Sequence, residues 1–344
     1  MSKYGHCHSS YHDEHSFLTS LCEQLRGLPE IESKRKIRHA ANFISHDKCS
    51  KDDKYAMPGD DCAAIKSGNG YQLLAMEGML QKFVQGDPRA AAWSSVMVNI
   101  SDIAAMGGRP TAIVNALWHD DDGKSAEILF HIKRACDAFG IYFAGGHSSI
   151  AANTSPNLGV GILGFAHTLL SCHHIKPGQQ LFLLTDLNGS WHGDLPYWGC
   201  VAGKSNQQLR EQWHIPASLA EKNLAVAAKD ISNGGLLGTL IMMLELTGCG
   251  ANINIEKIPT PSDGDIFRWL RAFQSYGFLL AVEPEQHHAL LEFFKNTALT
   301  CVAIGEMNNT AKISLHMQQA SEVFWNIKND PLTHMGDSYA SSAL

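Results

Sequence analysis

The segment "VMVNISDIAAMGGRPTAIVNALW", Val96 to Trp118, constrains the fold more than any other, because it sets one carboxylate, Asp102, inside a long apolar run. A lone carboxylate is costly to bury, so a neighbour or a ligand has to meet it. The stretch "GDPRAAAWSSVMVNISDIAAMGG" has Asp87 placed as an N-cap, Pro88 at the first helical position and Gly107 past the end, which are helix start and stop signals. Trp93, Val96, Met97, Ile100, Ile103 and Ala104 make the helix apolar over most of its surface and predict that it is buried. Ser95, Asn99 and Asp102 fall at i, i+4 and i+7, one narrow polar stripe. Such a stripe faces either a ligand or a neighbouring polar network. Oxygen donors of this kind suit Mg²⁺; a cap or a buried hydrogen-bond partner for a nearby loop is the alternative.

More carboxylates stand upstream. "CAAIK", "SGNG" and "YQLLAM" form a strand, turn, strand pattern, which predicts a β-hairpin over residues 60–77. Pairing Lys66 with Tyr71 puts Asp60 opposite Glu77, so Asp60, Asp61 and Glu77 crowd one end of the hairpin. Like charges there repel, and a bridging divalent cation would remove the repulsion; two solvated turns are the bland alternative. "AGGHSS" follows the short strand "IYFA", and paired glycines at a strand end let backbone N–H groups approach a phosphate. His147 and Ser148 add donors. Asp230, in "AAKDISNGG", sits between two expected helices, Ser218–Lys229 and Gly235–Leu246, with Gly234 and Gly235 able to offer N–H groups to an anion. Taken alone, an N-cap role for Asp230 or Ser232 is the simpler explanation of this segment. No Walker A pattern and no strand-linked GxGxxG occurs.

The 344 residues suffice for two α/β domains, broken near residues 168–178: an N-terminal helical, mobile extension over 1–52, then 53–170 and 171–344. A formal net charge of -7 argues against a nucleic-acid partner. No apolar run approaches transmembrane length and no signal pattern opens the chain, so a cytoplasmic protein is expected. Nine scattered cysteines without a CxxC pair point to reduced thiols. Near the start, "GHCHSSYHDEHS" gathers His6, His8, His12 and His15 around Cys7, either a transition-metal clasp or an imidazole-rich mobile tail. "SCHHI", with Cys172, His173 and His174, is expected at the surface in a turn between domains.

Together, "PGDDCAAI", "AMEG", "VNISDIAAMGGRP", "AGGHSS" and "KDISNGGLLG" come in the order seen in the ATP-binding superfamily of AIR synthase, and the chain resembles it over residues 30–315. Relatives in that superfamily include thiamine-monophosphate kinase and selenophosphate synthetase. "DLNGSWHGDLPYW", "IPTPSDGDIFRWL" and "FQSYGFLLAV" look like a separate AIR-synthase-related branch without a settled activity. The resemblance implies an α/β (α+β) two-domain fold, with an N-terminal domain whose strands form a dimeric β-barrel and a C-terminal α/β sandwich. It implies Mg²⁺ held by Asp60, Asp61, Glu77, Asp102 and Asp230, and ATP lined by Asn99, Gly145, Gly146, His147 and Ser148. Glu77 stands where the kinase and the synthetase usually carry Asp. The expected function is an ATP- and Mg²⁺-dependent enzyme that phosphorylates or activates a small molecule, acting as a homodimer. The alternatives are a thiamine-monophosphate kinase-like or selenophosphate synthetase-like activity, a non-catalytic nucleotide-binding partner protein, and a metal-dependent phosphatase.

Overall fold

Turn chemistry and strand alternation build the first sheet. In the computed structural model, which describes residues 11–41, 43, 58–262 and 265–336, the strands β1 (Ala63–Ser67) and β2 (Gly70–Met79) form the expected hairpin with Lys66 opposite Tyr71. Gly68 takes φ +59°, as a tight two-residue connection favours. The ladder ends at Ala63 and Leu74, so Asp60 and Asp61 precede the strand, and Glu77 lies opposite Val160 of a different strand. Three further strands, β3 (Arg109–His119), β4 (Tyr142–Ile150) and β5 (Asn157–Ala166), complete a sheet in the order β1-β2-β5-β3-β4.

The dimeric β-barrel is corrected by this topology. Closing a barrel removes both sheet edges, whereas here β1 pairs with β2 alone and β4 with β3 alone among the described residues, and the sheet stays open. What the structure does show is a mixed α/β fold in two compact units. β4 also departs from the expected short strand. It runs on through "AGGHSS", parallel to β3, with a register shift after Ile113. Gly146 is required within it: φ is +156°, and a Cβ would come within 2.1 Å of the Asn115 carbonyl oxygen.

One face of this sheet packs against the helix Pro88–Ala105, which in turn packs against the helix Asp122–Phe139. Both helices start and stop as their sequences dictate. Asp87 accepts the N–H of Ala90 at 2.9 Å, Pro88 opens the first turn, and Gly107 follows the end at φ +73°. Asp121 caps the second helix through the N–H of Lys124, and Gly140 closes it in the left-handed conformation. Trp213, on the helix Asn206–Trp213, donates its indole N–H to Ser101 at 3.1 Å and ties that helix to the long one. The expected helix Ser218–Lys229 is instead a helix over Ile215–Glu221, a turn with Asn223 at φ +54°, and a buried strand, Ala227–Asp230. Its run "LAVAAK" is too short and too uniformly apolar for periodicity to separate strand from helix. These elements belong to the unit made of residues 45–174 and 199–230.

The other unit comprises residues 1–44, 175–198 and 231–344. Its sheet runs in the order Ala320–Asn326, Lys312–Met317, Gly250–Asn254, Thr300–Asn308, Gln180–Thr185, Gly277–Val282. Neighbours are antiparallel except for the parallel pair Gly250–Asn254 and Lys312–Met317. The helix Tyr11–Arg26 packs on the outer strand, with Leu18, Cys22 and Leu25 buried and the Arg26 Nε donating to Phe324 O at 2.8 Å. The histidine and cysteine stretch at His6, Cys7 and His8, and the side chain of His12, lie outside the described residues; His15 is exposed on this helix. No described helix is long and apolar enough to cross a membrane. The described cysteines are free thiols, and Cys172, expected at the surface, is buried.

Replacing Asp87 with Ala removes the cap that fixes the entry of the long helix. The expected loss is about 1 kcal/mol of stability, read from the urea midpoint at unchanged slope.

Candidate functional site

Three carboxylates meet in the unit that holds the open sheet. Asp61 comes from the chain just before β1, Asp102 from the last turn of the long helix, and Asp230 from the end of the strand Ala227–Asp230. One oxygen from each lies within 4.8 Å of the others. Asp102 is 8% exposed and Asp230 equally buried. Burial holds the Asp102 carboxyl well above the usual carboxylate range, and the charges of Asp230, Asp61 and Glu77 push it the same way. Its position in the last helical turn adds to the cost, because the unbonded carbonyls there favour a positive group. Burial, like charge and the helix end thus all disfavour the ionised form of Asp102.

A positive group is already present. The Lys229 ammonium pairs with Asp61 Oδ1, and the side chains are only 6% and 7% exposed. The second Asp61 oxygen accepts the backbone N–H of Asp230 at 3.2 Å. Burial acts to discharge Lys229, but the Asp61 carboxylate outweighs it and raises the pKa, so the ammonium stays protonated. Sequence reasoning passed over this residue. Its signal was an opposite-charge pair, Lys229 and Asp230, closing the apolar run "LAVAAKD".

The other expected residues take separate places. Asp60 accepts from Ser171 Oγ at 2.5 Å and from the Cys172 N–H at 2.8 Å, so both its oxygens are engaged by the turn at residues 171–174. Glu77 is exposed; by alternation it shares a face of β2 with buried Leu73, and its charge reaches Asp102. Ser95 and Asn99 turn back on their own helix, Ser95 Oγ to Ala92 O and Asn99 Nδ2 to Ser95 O, both at 2.8 Å. The Asn99 Oδ1 is left buried without a partner. Gly145, Gly146, His147 and Ser148 lie exposed along the edge strand β4, with the His147 ring 6.0 Å from that of Trp118.

Comparison with known proteins finds two consecutive matches along the chain. Residues 59–166 match the family described as AIR synthase related protein, N-terminal domain, and residues 192–318 match its C-terminal domain. An uncharacterised protein of Synechocystis is 38% identical over 81% of this chain and 87% of its own length. The thiamine-monophosphate kinase of Methanospirillum hungatei is 29% identical over 65% of this chain and 76% of its own. Among solved structures, T. maritima PurL complexed with ATP superposes with a TM-score of 0.66 at 18% identity, covering 89% of this chain and 53% of that one. That likeness is one of fold, and the chain spans about half the length of that protein.

The raised pKa of Asp102 has a signed consequence. The folded state binds its proton more tightly than the unfolded chain does, so stability falls as pH rises above about 4, the unfolded carboxyl value. Asp102→Asn removes this slope. In chelator at pH 7 the variant is expected to melt above wild type, by about 2–4 °C for each kcal/mol recovered. A thermal melt series across pH reads both effects.

Proposed function

The chain belongs to the AIR synthase related protein family, and from that premise we propose that it is an ATP- and Mg²⁺-dependent enzyme that phosphorylates or activates a small molecule. The observation that carries this reading is the convergence of Asp61, Asp102 and Asp230 on one buried point. The residues fit the ion: their donors are hard oxygens, as Mg²⁺ requires, and their mutual repulsion is relieved only in part by Lys229. The orphaned Asn99 Oδ1 supplies a further buried acceptor on the same helix. ATP is supported by what the chain is similar to, a thiamine-monophosphate kinase in sequence and a PurL complexed with ATP in fold.

In this reading Asp61, Asp102 and Asp230 hold the metal, with Glu77 adding negative charge from β2 and Asp60 bracing the adjacent turn. Asn99 and the strand residues Gly145, Gly146, His147 and Ser148 contact the nucleotide. Bound Mg²⁺ neutralises phosphate charge, and phosphoryl transfer draws most of its catalysis from such positioning and neutralisation. The protein side therefore needs fixed carboxylates more than a nucleophile. Steady ATP consumption on a panel of metabolites including thiamine monophosphate and selenide, with mass analysis of the products, tests the proposal. Asp102→Asn is expected to weaken Mg-ATP binding by about tenfold or more, the scale of one lost charge-assisted contact; unchanged affinity in the folded variant removes the assignment.

The working unit we propose is a homodimer. The sheet face turned away from the long helix exposes Leu74, Met76, Val114, Leu163 and Tyr142, and Leu74 sits directly opposite Leu163. Contiguous apolar surface of this kind marks an interaction site, and a second copy presents the same patch. Met76→Lys is expected to yield a folded monomer in sedimentation velocity; an unchanged monomer in the wild type refutes the dimer.

A further inference from the structure

A buried ammonium beside three carboxylates has a consequence for how the metal is taken up. Lys229 is the residue before Asp230 on the strand Ala227–Asp230, and the polar ends of both side chains reach Asp61. Its ammonium binds the Oδ1 of Asp61, one of the three carboxylates whose oxygens converge. It also lies close enough to Asp102 for its charge to offset part of the repulsion that Asp102 meets. Counted as ionised groups, the three carboxylates sum to -3, and the ammonium brings the formal charge of the cluster to -2. Taking the ammonium away leaves buried charges uncompensated, which is far costlier than losing an exposed pair.

We infer that Lys229 is a resident competitor for the divalent ion: it occupies a cation's place on Asp61, lets the cluster fold without metal, and weakens the cluster's hold on metal until an anionic ligand arrives with it. The inference rests on the metal site proposed above and adds a regulating residue to it. A divalent ion entering the cluster must share Asp61 with the ammonium, and two cations at one carboxylate repel. A polyphosphate bound alongside removes that repulsion by giving both cations a partner. Metal retention is in this way coupled to nucleotide retention, and the free protein does not sequester the ion. Lys229 acts through Asp61 and is a positioning residue.

The test uses the full chain without nucleotide and Mn²⁺ as the probe, titrated by electron paramagnetic resonance. Lys229→Met, near the lysine in length and uncharged, is expected to bind Mn²⁺ about tenfold more tightly than wild type, since one competing buried charge is gone. The same variant is expected to melt below wild type in chelator and to regain the difference when Mn²⁺ is added. Lys229→Gln, whose amide can still donate to Asp61, is read the same way where the methionine variant does not fold. Equal or weaker Mn²⁺ affinity in a folded variant overturns the inference while leaving the metal site standing. A wild type that binds no Mn²⁺, with or without ATP, overturns both. Loss of the fold in both variants even with Mn²⁺ present assigns Lys229 to the core and overturns it as well.

Discussion

The structure depends on the burial of like charge at Asp102. A helix apolar on nearly every side has to be covered, and covering it takes the one carboxylate in its last turn out of water. The elements that cover it then bring Asp61 and Asp230 to the same point. Packing and electrostatics are therefore opposed here. Apolar burial of Val96, Ile100 and Ile103 holds the helix down, each side chain contributing about 1.5–3 kcal/mol, while the converging carboxylates work to push the surrounding segments apart. Ordinary cores are not built this way, and a conflict between packing and charge is what functional sites carry.

The acids in the neighbourhood divide into different tasks. Asp60 and Asp61 are adjacent in sequence, yet Asp60 spends its oxygens on the Ser171 hydroxyl and the Cys172 amide, and Asp61 spends its own on the Lys229 ammonium and the Asp230 amide. The chain bends at Asp61, just before β1, and the two neighbours serve different partners, one the turn and the other the cluster. Asp60 thereby secures the short buried turn, from which Ser171 N–H reaches Val226 O and Cys172 Sγ reaches Ala228 O. That turn seats the strand carrying Lys229 and Asp230. A carboxylate without a place in the converging triad still fixes where the triad's third member stands.

Legibility followed the range of the interaction. The long helix was readable to the residue from Asp87, Pro88 and Gly107, because caps act over three or four positions. The hairpin register followed from its loop, and the stripe through Asp102 followed from helical spacing. Two of the stripe's members turn their donors back on the helix: Ser95 and Asn99 donate to carbonyls three and four residues back, an option any such residue has and no pattern reveals, and only the Asn99 Oδ1 is left unmet. The extension of β4 was hidden because "GGHSS" reads as a loop until β3 lies beside it. The strand Ala227–Asp230 was hidden because four residues are too few to show a period. A closed barrel came from the resemblance alone, and no residue in β1 or β4 demanded it.

The turn after the long helix shows how the charge is kept in place. Gly107 and Gly108 follow the last turn, and neither has room for a side chain: a Cβ on Gly107 would come within 2.7 Å of the Ala220 Cβ, and one on Gly108 within 2.3 Å of Leu73 Cδ1. Gly108 also closes on the helix through its N–H to Ile103 O at 3.0 Å. The chain leaving the helix is thus pressed on one side by the helix Ile215–Glu221 and on the other by β2, the strand that carries Glu77. Repelling carboxylates on loops would relax apart by a rotation or two. Held at the end of a helix whose exit has no slack, Asp102 keeps its position whether or not its charge is met, and that rigidity is what a site for a tightly coordinated ion requires.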